Sequence, residues 1–158
     1  MKILTDTGLM VLWNKIKQLV LGNRPYNPSE FSGKGYKVLE KNIQTVGGVK
    51  KNILTAIMLS EANTIYEIRY DFDLNGETIE MHEGCTLKFC GGSFKNGQIT
   101  GNNSVVEARC VQIFDVAFVI NGSWNIHEAY PEWFGAVGDG NVDDTKAIQK
   151  TFDTFNLI

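Results

Sequence analysis

Long apolar runs, cysteine, histidine and proline are all scarce in this chain, and each scarcity narrows what the chain does. A membrane span needs about 20 mostly apolar residues, and the purest run, residues 116–120, is far shorter. A brief apolar stretch at 9–13 follows Lys2. Asn14 and Lys15 interrupt it and no small-residue cleavage site follows, so it does not read as a signal peptide. Cys85, Cys90 and Cys110 are an odd number without CxxC spacing. They indicate neither a disulfide framework nor a zinc knuckle, and they suit a reducing cytoplasm. His82 and His127 stand alone, without HxxxH spacing or a neighbouring acid–nucleophile pattern. The GxSxG, HExxH, P-loop and dinucleotide fingerprints are missing. Basic residues are thinly spread on a chain of net charge −3, with no aromatic-studded basic groove, which disfavours nucleic acid as a partner.

What is present is a globular composition. With 158 residues, 43% hydrophobic and 21% charged, the chain suits one ordinary domain or two small ones. At this size roughly 70% of the unfolded surface is buried on folding. Glycine, at 16 residues, stands above its usual share of ~7%. It is joined by 14 asparagines and only 3 prolines. Gly and Asn serve chains that turn often with φ > 0 at the corners, which points to many short strands. Charge is divided unevenly. Residues 1–51 carry nine Lys or Arg against three acidic residues, while the rest carries six against fifteen. Two readings are open: a basic arm docking on an acidic partner, or an arm that neutralises its own acidic body.

The pattern along the chain predicts a helix first. Thr5, Asp6 and Thr7 offer caps, and Leu9, Leu12, Ile16 and Leu19 follow a 3-4-3 spacing widened by Trp13 and Val20. Such a stripe is either the seam of a bundle or short coiled coil, or an amphipathic helix packed on its own domain. Gly22, Asn23 and Pro25 end it, and a Gly-, Ser-, Asn- and Pro-rich linker follows. Val38, Leu39 and Ile43 suggest short strands, Gly47 and Gly48 a turn, and 53–59 a strand or helical turn. Tyr66, Ile68, Tyr70, Phe72 and Leu74 alternate with Glu67, Arg69, Asp71 and Asp73, which predicts one half-buried strand stopped by Asn75 and Gly76. Apolar clusters then recur between glycines, and the seven- or eight-residue intervals of Ile79, Leu87 and Phe94 suggest rungs or corners of a small β-solenoid-like stack. A sandwich of short strands is the alternative. Finally Asp139 and Gly140 turn the chain, Asp143, Asp144 and Thr145 open a helix, and Ala147, Ile148, Phe152 and Phe155 form its apolar face.

Candidate chemistry is sparse. Glu67, Asp71 and Asp73 share one face of the expected strand, as paired catalytic acids do and as a polar solvent face does. Asp139, Asn141 and Asp143 imitate the start of a calcium loop. Asp144 then stands where glycine is needed and Lys150 where glutamate is needed, so capping and turn-making is the better reading. Trp124, Tyr130 and Trp133 are either stacking platforms for a sugar or core residues around a loop. No catalytic residue, metal site or cofactor is expected within 1–158.

Residues 133–149 read WFGAVGDGNVDDTKAIQ. Through Trp133, Phe134, Gly135, Asp139, Gly140, Asp143, Asp144 and Thr145 this stretch resembles the opening motif of the pectate-lyase-like superfamily, which includes glycoside hydrolase family 28-related proteins and phage tailspikes. The resemblance implies a right-handed parallel β-helix whose end the launched helix covers, with any catalytic acids many rungs further on. A second resemblance spans 36–158. It rests on Asn63 to Tyr66, Tyr70 to Gly76, Gly91 to Phe94, Asn96 with Gly97, Gly101 to Asn103, and Ala129 to Gly135. Here the chain looks like the N-terminal region of fibre or spike proteins from phages of gut Bacteroides, the crAss-like group included. Such proteins are generally homotrimers, anchored to the particle by the N-terminal part and binding or cutting host glycans with the distal part.

The expected fold is therefore mainly β: an N-terminal helix, a small β-solenoid-like body, and a C-terminal capping helix that opens a parallel β-helix. The expected divisions are an anchoring or oligomerisation helix at 1–22, a linker at 23–36, a β body at 37–128, and the opening motif with its helix at 129–158, where the helix breaks off in mid-architecture. The expected role is a structural virion protein, the particle-proximal anchor of a trimeric fibre or spike for host attachment. Leu9, Leu12, Trp13, Ile16 and Leu19 would contact other copies or virion proteins of the tail, portal, collar or capsid, and a distal part would meet the host glycan. The alternative is a glycan-degrading tailspike enzyme whose catalytic coils lie beyond residue 158.

Overall fold

A computed structural model describes residues 33–126 and 128–155. The expected helix with Leu9, Leu12, Trp13, Ile16 and Leu19, most of the linker, and His127 lie outside the described residues. The described part is mainly β with one C-terminal helix, as the Gly- and Asn-rich composition led us to expect. The strands are β1 (Gly35–Val38), β2 (Ile43–Val46), β3 (Val49–Asn52), β4 (Thr64–Ile68), β5 (Phe72–Asp73), β6 (Thr78–Glu80), β7 (Thr86–Phe89), β8 (Phe94–Lys95), β9 (Gln98–Glu107) and β10 (Val119–Trp124). Single 3₁₀ turns occupy Ala56–Leu59 and Pro131–Phe134, and helix α1 spans Thr145–Phe155.

Six strands form one sheet in the order β1-β4-β7-β9-β10, with β6 also on β9, and every pairing in it is parallel. The ten-residue β9 serves twice: its first half lies between β6 and β10, and its second half lies beside β7. β5 and β8 form a separate parallel pair, extended by the bridges Ile53 to Asp73 and Phe94 to Phe114. Among the described residues only β2 and β3 are antiparallel, joined by Gly47 and Gly48 at φ 59° and 81°. Two consecutive positive φ values make the mirror-image turn whose twist matches a hairpin, and glycine adopts them without strain.

The alternation over 66–74 does not make one strand. β4 ends at Ile68, whose carbonyl accepts the N–H groups of Cys90 at 2.8 Å and Gly92 at 3.3 Å. The chain then bends, and β5 resumes at Phe72 in a different sheet. Close backbone approach enforces the corner: a Cβ on Gly92 would lie 2.6 Å from the Tyr70 nitrogen. Glu67 and Asp73 are consequently buried, at 8% and 6% exposure, rather than aligned on a solvent face. Likewise, the intervals linking Ile79, Leu87 and Phe94 mark successive strands β6, β7 and β8. Facing partners stand farther apart: Ile79 opposes Ile99, Leu87 opposes Tyr66 and Val106, and Phe94 opposes Phe72 and Phe114. The hydrogen-bonded Glu80 and Thr100 are 20 residues apart.

A column of aromatic rings runs through a core that also holds many buried aliphatic side chains, among them Leu54, Ile68, Leu87 and Ile99. Phe94 packs edge-on against Phe72 (6.3 Å) and Phe89 (5.1 Å) and tilts toward Phe118 (6.1 Å), while Phe114 stacks on Phe118 (5.4 Å) and Phe134 (5.6 Å). Burying each such ring contributes roughly 1.5–3 kcal/mol.

Asp73 holds the corner between β5 and β6. Its Oδ1 accepts from the Asn75 N–H (2.7 Å) and from Asn96 Nδ2 (2.8 Å), and Lys51 Nζ lies 3.3 Å from Oδ2. Burial pushes this carboxyl upward, but the bonds from Asn75, Asn96 and Lys51 outweigh it and hold the carboxyl below its ordinary value of 3.8. A folded value lower than the unfolded one stabilises the fold above pH 3.8, and that contribution is lost as pH falls through the folded value. Asp73→Ala is expected to cost about 1–3 kcal/mol at neutral pH, because it removes the acceptor shared by Asn75 and Asn96 and the buried end of the Lys51 ion pair. Asp73→Asn should flatten the acid limb of the stability profile. Urea titrations between neutral pH and pH 3 would check both.

Candidate functional site: the 133–145 segment

Trp133 and Phe134 close the second 3₁₀ turn, and both are buried. Pro131 begins the turn, where a missing N–H is not needed. Gly135 ends it at φ 94°, donating its N–H to the Glu132 carbonyl. The Trp133 carbonyl accepts the N–H groups of both Ile113 (3.1 Å) and Phe114 (2.9 Å), and its indole Nε1 donates to the Arg109 carbonyl at 2.9 Å. One residue thereby ties the turn to the segment that ends the Phe72, Phe94 and Phe114 column.

The acidic residues of the segment bind backbone. Asp139 Oδ1 accepts the N–H groups of Asn141 (2.8 Å) and Val142 (2.9 Å), with Gly140 at φ 73° in the same turn. Those two bonds lower the Asp139 carboxyl pKa. Asp143 accepts the Thr145 N–H at 3.0 Å, and the Thr145 hydroxyl and N–H together lower its pKa. Asp144 works in two directions. Its carbonyl accepts the Ile148 N–H at 3.0 Å, starting α1, while its carboxylate reaches back to the N–H groups of Val137 (2.9 Å) and Gly138 (2.8 Å). All eight residues expected to form this motif thus fall in one continuous structural joint, with Thr145 as the first residue of α1.

The helix face differs from expectation. Ala147 and Thr151 are buried and Phe155 packs on Trp133 (5.8 Å), whereas Ile148 and Phe152 are 42% and 51% exposed. Thr151 enters the buried face because its hydroxyl donates to the Ala147 carbonyl at 2.9 Å, which spares it an open donor. Sequence reasoning also missed Lys150. Its Nζ donates to the carbonyls of Val116 (2.5 Å) and Phe118 (2.6 Å) and lies 5.3 Å from the Phe134 ring centre. Burial lowers the pKa of this amine, and the Asp115 carboxylate pulls in the opposite direction. A groove of about 610 Å³ separates α1 from β10, lined by Val119, Ile120, Thr145, Lys146, Gln149 and Lys150.

The other candidates are not brought together as catalytic groups. Glu67 accepts hydrogen bonds from Tyr36 and Arg69, while Asp71 accepts one from Ser93 at 2.7 Å. Trp133 is 1% exposed and offers no platform to a sugar. Trp124 lies against the Gly101 backbone and donates Nε1 to the Asn121 carbonyl at 2.7 Å. Among the described residues, no three His, Cys, Asp or Glu side chains are grouped to hold a metal ion, and no helix is long and apolar enough to cross a membrane. The chemistry available to the 133–145 segment is fixation of backbone. No protein-family model, curated protein or solved structure matches the chain.

Proposed function

We propose that this chain is a structural virion protein, the particle-proximal part of a trimeric phage fibre or spike that mediates host attachment. In this reading the parallel pairs are the opening coils of a right-handed β-helix, and the 133–145 segment with α1 covers their end. The observation that carries it is the seating of that segment: the Trp133 carbonyl binds Ile113 and Phe114 at the foot of a column of parallel partners about 20 residues apart. A helix over such an end shields core residues and strand edges that would otherwise be exposed. The stripe of Leu9, Leu12, Trp13, Ile16 and Leu19 supplies the contact with other copies and with tail, portal, collar or capsid proteins. A distal part of the fibre carries the contact with host glycan.

Light scattering of the purified 158-residue chain tests the assembly. A mass three times 17.6 kDa is expected, falling to 17.6 kDa when Leu12 and Ile16 are replaced by Asp. A parent chain that is already monomeric at micromolar concentration overturns the trimer.

A further inference from the structure

We propose that Cys90 and Cys110 are an oxidisable pair that closes into an intramolecular disulfide across two neighbouring turns of the chain. Both are exposed, whereas Cys85 is buried and directs its thiol to the Glu61 carbonyl at 3.2 Å. Two parallel pairings bracket them. Lys88 faces Glu107 at the end of β7, and Phe94 faces Phe114 at the start of β8. Counted forward from the first pair, Cys90 stands opposite Arg109; counted back from the second, it stands opposite Cys110. The extra residue is taken up locally. The Val111 N–H donates to the Arg109 carbonyl at 2.8 Å, a three-residue turn with Cys110 at its apex. The pairs on either side, Lys88 with Glu107 and Phe94 with Phe114, hold the two turns side by side, and a disulfide bridges Cα separations of roughly 4.4–6.8 Å.

The surroundings favour reaction at Cys90. It opens into a cavity of about 450 Å³ whose wall includes Arg109 and Val111, the two neighbours of Cys110. Given a low-molecular-weight disulfide such as oxidised glutathione, the Cys90 thiolate attacks one sulfur and releases a glutathione thiolate. The Cys110 thiolate then attacks the mixed disulfide at Cys90 and expels the second glutathione. Two protein thiols lose two protons and two electrons, and one glutathione disulfide becomes two thiols.

The test equilibrates the reduced full-length chain in glutathione buffers, quenches with acid, alkylates and maps peptides. Free thiols are expected to fall from three to one, with Cys90 and Cys110 joined within one chain and Cys85 alkylated. Cys90→Ser and Cys110→Ser should each abolish the internal link and leave the other exposed cysteine as a glutathione adduct. The glutathione ratio at half-oxidation should favour the link about tenfold or more over the urea-unfolded chain, because the fold pre-positions the pair. Separate glutathione adducts on both cysteines, a link only between chains, or equal ratios in folded and unfolded chain would each overturn the proposal.

Discussion

Replacing Trp133 by alanine is expected to destabilise the described fold by about 3–5 kcal/mol, the cost of removing a fully buried large aromatic. The side chain is 1% exposed and packs edge-on against Tyr130 (5.6 Å) and Phe155 (5.8 Å). Its indole N–H satisfies the Arg109 carbonyl. Truncation therefore opens a cavity, frees α1 on one side and leaves a carbonyl without its donor. Trp133→Phe separates these terms, since it keeps most of the packing and loses the hydrogen bond, and should cost about 1–3 kcal/mol. Chemical denaturation followed by tryptophan-independent circular dichroism checks both. If Trp133→Ala cost less than the Phe variant, the turn would not be the joint described above.

Phe94→Ala should be comparably severe, again about 3–5 kcal/mol, for a different reason. Phe94 is fully buried in mid-column, touching Phe72, Phe89, Phe114 and Phe118. No single neighbour can collapse into the space without leaving its own strand position, so the cavity persists. Phe94→Leu retains much of the volume and should cost less than about 1.5 kcal/mol. Phe155→Ala removes a ring that is only partly buried at the helix end and should fall between the two. Differential scanning calorimetry of the three variants gives the order directly. A Phe94→Ala protein melting with the parent would contradict the continuous aromatic column.

Much of the local structure was legible in the residues. Asn75 with Gly76, and Gly47 with Gly48, mark turns because their backbones tolerate positive φ. The start of α1 was legible because Asp143, Asp144 and Thr145 are residues that satisfy free N–H groups. The corner at Tyr70 was not. Alternation continues straight through it, and the break comes from Gly92, remote in sequence, pressing its backbone onto Tyr70. Parallel pairing was hidden for a related reason: period-two alternation is the same in parallel and antiparallel strands, and elements of two to five residues carry little register of their own. The burial of Glu67 and Asp73 could not be read either, because their partners Tyr36, Lys51 and Asn96 lie in other strands or turns. Lys150 entered the sequence reading only as the residue that breaks a calcium-loop pattern, and only the folded Val116 and Phe118 carbonyls give it a role.

The proposed function requires this chain to be a component of a virus particle. Antibodies against the folded 33–155 region, applied to particles purified from the culture that makes the chain, test this most directly. The account predicts gold label at a fixed position on intact particles, together with peptides of the chain in the particle digest at a multiple of three copies per attachment site. Label and peptides confined to the host lysate, with clean particles that still adsorb to cells, would contradict it.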